Sequence, residues 1–165
     1  QAHAVIHLAR AAQIDIEAPA EQVYDLVADI TNMGRWSPEC YRTAWVGGAT
    51  TAAPGARFKG WNKTQVAGIP ARWSTTSTIR QADRGRAFSF DTGLSGARWT
   101  YRFEANQDGT GCTVIETRED VSSPLIVKVL SLPLEGIRRK QLTDGMHVTL
   151  QRLKAAAEAQ AAPST

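Results

Sequence analysis

Between Arg57 and Ala105 the chain alternates. Phe58, Trp73, Phe88, Phe90, Trp99, Tyr101 and Phe103, seven of its twelve aromatic residues, share one parity, and Arg57, Lys59, Lys63, Arg72, Arg80, Asp91, Arg102 and Glu104 occupy the other. Neighbouring side chains of a strand point to opposite faces, so this text predicts a broad sheet with one aromatic face and one wet face. Trp61 breaks the rule by sitting on the wet parity.

Turn signals cut this region into strands at Cys40 to Val46, Arg57 to Gln65, Ala71 to Ala82, Ala87 to Thr92, Ala97 to Ala105 and Cys112 to Asp120. The links are short, so successive strands are expected to pair antiparallel. Ahead of them, Ile14 and Ile16 alternate with Asp15 and Glu17, which marks a first strand within Val5 to Glu17. Pro19 and Glu21 then start a short helix carrying Val23, Tyr24 and Val27, and a second short one ends by Gly34 and Pro38.

After Asp120, Ser122-Ser123-Pro124 opens another helical start, followed by an apolar stretch as far as Leu132. From Leu134 to about Ala159 the propensity is helical. Leu142, Met146, Thr149, Leu150, Leu153, Ala156 and Ala157 form one stripe, flanked by Leu134, Gly145 and Val148, with Lys140, Asp144, His147, Gln151, Lys154 and Glu158 opposite. This helix is the expected cover for the aromatic face. The stretch from residue 160 reads as a frayed tail, and residues 1–165 read as one domain.

Composition narrows the function. At 165 residues a core can form without metal or disulfide support. The net charge of +3 comes from scattered Lys and Arg, and the aromatics are expected to be covered, so nucleic acid is not an expected partner. No segment is long and apolar enough to span a bilayer, so stable membrane insertion is not expected. Gln1 to Gln13 lacks the apolar core of a signal peptide, and a cytoplasmic location is the default expectation; a monomer or homodimer is expected.

Cys40 and Cys112 lack metal spacing and read as buried thiols, with a single bridge left open. None of His3, His7 and His147 pairs with a nucleophile or a ligand set, and no phosphate-cradling loop or GxSxG is present. Neither metal nor cofactor is expected.

The order of elements, with Ile14 through Tyr24, Asp29 through Trp36-Ser37-Pro38-Glu39, Gly55 to Gly60, Trp99 through Phe103, Gly109-Thr110 and Cys112-Thr113-Val114, resembles the START-like (SRPBCC) superfamily. The nearest flavour is the polyketide cyclase/dehydrase and lipid-transport type. The resemblance covers nearly the whole chain and implies the α+β helix-grip fold: a curved seven-stranded antiparallel sheet around a long C-terminal helix, with two short helices after strand 1. It also implies a cavity between sheet and helix, and it speaks to fold more than to chemistry.

Such a cavity would be walled by Trp36, Phe58, Gly60, Trp73, Phe88, Phe90 and Trp99, with Leu142, Gly145, Met146 and Thr149 from the helix. Polar residues on the aromatic parity are the informative ones. Asn62, Thr75, Ser77 and the Tyr101 hydroxyl either orient a ligand or satisfy one another and the backbone. Gly60 either opens space or marks a bend. Glu39 reads as a polar anchor, an acid/base or a solvated loop carboxylate, and Arg138 either reaches an anionic group or snorkels outward. For Glu116 the sequence indicates no partner.

The leading expectation is a binder or carrier of a hydrophobic small molecule that is lipid, sterol-like or polyketide-like. Its gate would be the loop after the second short helix together with the start of the long helix. The alternative is an aromatic polyketide cyclase/dehydratase using Tyr101, Arg138 or Glu39 in acid/base roles. An interior packed solid would instead indicate an interaction protein.

Overall fold

A computed structural model of the chain describes residues 10–93, 96–121 and 134–163. Strand β1 (Arg10–Ile16) leads into helix α1 (Ala20–Ala28), a short 3-10 turn (Ile30–Asn32) and the one-turn helix α2 (Met33–Trp36). Six strands follow: β2 (Cys40–Val46), β3 (Arg57–Val66), β4 (Ile69–Asp83), β5 (Ala87–Thr92), β6 (Ala97–Ala105) and β7 (Cys112–Asp120). Helix α3 (Glu135–Ala161) closes the described chain. The expected helical start at Ser122 and the apolar stretch to Leu132 lie outside the described residues, as do His3 and His7.

All seven strands join one antiparallel sheet in the order β1-β7-β6-β5-β4-β3-β2. The hairpins from β2 to β7 follow from the turn residues: Gly68, Gly85 and Gly109 all take positive φ, which glycine adopts at no steric cost. Between β1 and β2 the chain makes its non-local step, crossing with α1 and α2 so that β1 pairs with β7. The fold is the α+β helix grip, a curved sheet wrapped around a long helix.

Two irregularities bend the ladder. One falls between Cys40 and Arg42, the other between Ile79 and Gln81. An extra residue in one strand increases local twist, and here it turns Tyr41 out to solvent while Cys40 stays on the inner face. The same register sets Arg42 directly opposite Trp61, and the guanidinium lies 4.6 Å from the ring, with the Lys59 ammonium 5.1 Å away. That is why a tryptophan stands on the wet face: two cations cover it.

Helix α3 lies on the inner face, packed against β1, α1 and α2, and buries Met146, Thr149, Leu150, Leu153 and Ala157. Leu134, expected on its buried flank, is exposed because it caps the helix instead of packing under it. Near the far end, Lys154 donates to the carbonyl of Asp15 at 2.8 Å, and Glu158 accepts from the amide of Glu17 at 3.0 Å. These bonds tie α3 to the end of β1 and fix how the helix crosses the sheet. No described helix is long and apolar enough to cross a membrane.

Candidate functional site

The inner face splits into two regions. Beside α1, Tyr24 meets Phe88 and Phe103 edge-on at 6.4 and 5.7 Å, and Ile16, Val23, Val114 and Leu153 fill the remaining space. Beside α2 the interior is not filled, and a cavity of about 120 Å³ opens toward the surface. Its floor is Phe58, Gly60, Asn62, Thr75, Ser77, Phe90, Trp99 and Tyr101 of the sheet; its roof is Leu142, Gly145, Met146 and Thr149 of α3, and Trp36 of α2 closes one side. Phe58 and Phe90 stack edge-on at 5.1 Å beneath it.

Register explains the floor. Gly60 faces Thr75, Asn62 faces Trp73, and Phe58 faces Ser77 across β3 and β4, so the predicted parity of both strands is realised. A Cβ added to Gly60 would meet Cys40 Sγ at 3.4 Å and Thr75 Oγ1 at 3.8 Å, which is ordinary contact. The missing side chain is therefore cavity volume and not a forced close approach.

Two residues expected in the wall stand elsewhere. Phe88 belongs to the packed region, where its ring is taken by Tyr24 and Phe90. Trp73 lies toward the mouth, half-buried, with the Arg138 guanidinium 5.7 Å from its ring.

Arg138 does not snorkel outward. Its Nη1 donates to Glu39 Oε1 at 2.7 Å and to Gln141 Oε1 at 2.8 Å, and its Nη2 reaches Glu39 Oε2 at 3.4 Å. Both partners of this ion pair are about one-quarter exposed. The pair links the loop after α2 to the first turns of α3, the two segments expected to form a gate, and Glu39 itself lines the mouth. Glu39 and Arg138 are thus neither solvated singly nor free for a ligand while the pair holds.

The residue that sequence reasoning passed over is Glu116. It sits on the inner face of β7 directly opposite Tyr101 of β6, and the Tyr101 hydroxyl donates to its Oε1 at 2.8 Å. Its side chain is almost wholly enclosed, forms part of the cavity wall, and carries the one buried side-chain oxygen without a partner among the described residues, Oε2. Burial pushes its carboxyl up to about 8, with the tyrosine hydrogen bond opposing that shift only in part. Tyr101 is held well above the usual phenol range, first by burial and then by the neighbouring carboxyl. A signal was available: Glu116 follows Cys112 and Val114 at strand period, on the dry parity of β7.

Cys40 and Cys112 are both free and buried. Cys40 stands in the cavity wall, and burial pushes its thiol up, as it does that of Cys112. His147 points to solvent, and among the described residues no cluster of metal-ligating side chains occurs.

A curved sheet gripping one long helix around a partly filled, mostly apolar interior defines a helix-grip protein of the START-like (SRPBCC) class. The family model for polyketide cyclase/dehydrase and lipid transport proteins matches residues 9–158, and the chain belongs to that family. No functionally curated protein matches it in sequence. Among similar solved structures is the polyketide-cyclase-like protein Cgl2372 of Corynebacterium glutamicum, at 28% identity and TM-score 0.61, with 94% of each chain covered. TTHA0849 of Thermus thermophilus is 20% identical, at TM-score 0.65, with 93% of this chain and 99% of that one covered. The di-domain ARO/CYC protein BexL of the BE-7585A biosynthetic pathway is 22% identical at TM-score 0.63, and the match covers 94% of this chain and 48% of BexL.

Proposed function

We propose that this protein binds and carries a hydrophobic small molecule, of a lipid, sterol-like or polyketide-like kind, in the cavity between the sheet and α3. The observation that carries the reading is the half-filled interior: an apolar chamber with a few polar groups, opening beside Glu39. Pockets of this make-up take most of their affinity from apolar burial and their orientation from the few polar groups. A single ring buries roughly 150 Å² and at about 25 cal/mol per Å² gains about 4 kcal/mol before ordering costs. A chamber of about 120 Å³ holds one such ring, so a longer ligand extends through the mouth past Glu39 and Arg138.

Native mass spectrometry of the purified protein, followed by solvent extraction, tests this reading. A retained apolar adduct is expected. A folded protein that holds no adduct and binds no apolar probe would instead be an interaction protein with a vestigial chamber.

One observation favours a second reading, an aromatic polyketide cyclase/dehydratase. Tyr101 and Glu116 form a buried hydrogen-bonded pair on the inner face, and a carboxyl that keeps its proton near neutrality suits general acid work at a carbonyl. Turnover of a poly-β-ketone mimic, abolished by Glu116→Leu and depressed by Tyr101→Phe, is the outcome that would separate an enzyme from a carrier.

A further inference from the structure

We propose that Glu116 presents a carboxylic acid O–H from Oε2 to the ligand, so the buried end of the ligand is a neutral acceptor such as a ketone or ester carbonyl and not a carboxylate or phosphate. This rests on the cavity reading above and adds to it the chemistry of the ligand. The geometry divides the carboxyl into two unlike oxygens. Oε1 accepts from the Tyr101 hydroxyl at 2.8 Å, and that bond, between directly opposed residues of adjacent strands, fixes the plane of the group. Oε2 is buried at the cavity wall and engages nothing among the described residues. A buried polar oxygen left unpaired costs about 1–3 kcal/mol, so an acceptor placed there recovers a penalty the empty protein carries.

The surroundings determine which form of the carboxyl stands there. An ionised carboxylate in an apolar interior needs a cation or several donors. Glu116 faces Ala12 on β1, Tyr101 on β6 and Cys40 across the chamber on β2, with Met146 and Thr149 lining the chamber from α3. None of these is a cation, and Tyr101 and Cys40 are themselves held in their neutral forms by burial. Arg118, two residues along β7, bonds to Asp120 at 2.9 Å; Arg10 stands opposite it at the start of β1, with Asp120 and Glu135 as its acidic neighbours; and Arg138 at the mouth bonds to Glu39. The carboxyl therefore keeps its proton up to about pH 8. With Tyr101 donating to Oε1, the acid proton belongs on Oε2, where it makes a donor. An anionic head group would enter an apolar site where, among the described residues, no cation stands beside the acid, whereas a carbonyl oxygen finds a donor in a dry site.

Three single-ring probes of matched shape test this: acetophenone, α-methylstyrene with a methylene in place of the carbonyl oxygen, and benzoate. Binding is measured by titration calorimetry at about pH 6 and about pH 9.5, on either side of the carboxyl's transition. Acetophenone is expected to bind roughly three- to tenfold more tightly than α-methylstyrene at the lower pH, with the advantage lost at the higher, and benzoate is expected to bind worst at both. Glu116→Gln keeps an N–H donor and should retain the ketone preference at both pH values; Glu116→Leu should erase it. The infrared carbonyl stretch of an un-ionised acid, present in the native chain near neutrality and absent from Glu116→Gln, reads the same proton should the leucine variant not fold. Equal affinity for ketone and alkene at the lower pH, preference for benzoate, or absence of the acid band overturns the proposal while leaving the cavity reading intact. If no probe binds the folded native chain, the cavity reading itself fails and this inference falls with it.

Discussion

Under the C-terminal half of α3 the aromatic face of the sheet is a closed core, and under its N-terminal half the same face is a chamber. Both regions are built from strand residues of one parity, so the sheet does not cause the difference. The helices do. Two-turn α1 sends Tyr24 between Phe88 and Phe103 and supplies Val23 and Val27 around it. One-turn α2 sends in only Trp36 and the half-buried Met33, while Gly60 on the floor and Gly145 on the roof contribute no side chain to the chamber. The polar residues follow the same division. Glu116 and Ser77, both fully buried, lie in the chamber wall, and the closed region around Tyr24 is apolar.

The largest expected effect is that of the chamber's carboxyl on stability. Glu116 titrates near 4.5 when exposed and near 8 when folded, so between these values the native state holds a proton that the unfolded chain has released. Stability from this group is fully present below about pH 4.5, falls by about 1.4 kcal/mol per pH unit as pH rises, and levels off above about pH 8, for a loss approaching 5 kcal/mol at most. Urea unfolding of the native chain and of Glu116→Gln across this range should show that slope in the first and not in the second. Parallel curves would mean that the carboxyl is solvated through the mouth.

Next come paired truncations on the two sides of the divide. Phe88→Ala removes a fully buried ring from the closed region and is expected to cost about 3–5 kcal/mol. Met146→Ala removes a side chain equally shielded from bulk water but bordering empty volume, so fewer contacts are lost and about 2 kcal/mol is expected. Equal costs would show that the chamber collapses around its walls in solution.

This contrast also marks how far the sequence could be read. The dry parity of β3 to β6 and the long stripe of α3 carry the fold, because a period of two or of 3.6 is written directly in residue order. The chamber floor follows from the same parity, which is why Phe58, Gly60, Asn62, Thr75 and Ser77 are found together. Two features were not legible, and both depend on pairing across the sheet. Phe88 shares its parity with Phe90, yet one faces Tyr24 and the other the chamber, a distinction made by where α1 crosses. Glu116 becomes meaningful only when the β6–β7 register sets it opposite Tyr101, and no pattern within one strand announces that partner. Trp61 is the same case on the outer face, explained by Arg42 of the neighbouring strand.

At the mouth, Arg138→Ala releases Glu39 and uncovers the Trp73 ring. An ion pair that still reaches solvent contributes little, so a loss of about 1 kcal/mol is expected in unfolding experiments. The informative readout is kinetic. If the pair guards the chamber, acetophenone leaves the variant several-fold faster than the native chain in stopped-flow displacement, and the closed region keeps its hydrogen-exchange protection. Unchanged exchange of the probe would place the route of passage elsewhere.

The smallest expected effect on stability should have a marked effect on binding, and it falls on Gly60. An added Cβ meets Cys40 Sγ, Thr75 Oγ1 and the Thr43 methyl at 3.4 to 3.9 Å, all ordinary contacts, so alanine enters without strain. Replacing a strand glycine also removes unfolded-state freedom, and Gly60→Ala is expected to leave stability unchanged or to raise it by about 0.5 kcal/mol. The methyl nevertheless occupies the chamber floor beside the space a ring would fill, and affinity for a single-ring probe should fall several-fold as stability holds. A variant that gains stability and loses ligand would mean that the chamber is kept open at the expense of packing. A variant that gains stability and binds as before would mean that the vacancy at Gly60 is left over from the bend of β3, and the seat of the ligand would then lie nearer Trp99 and Glu116.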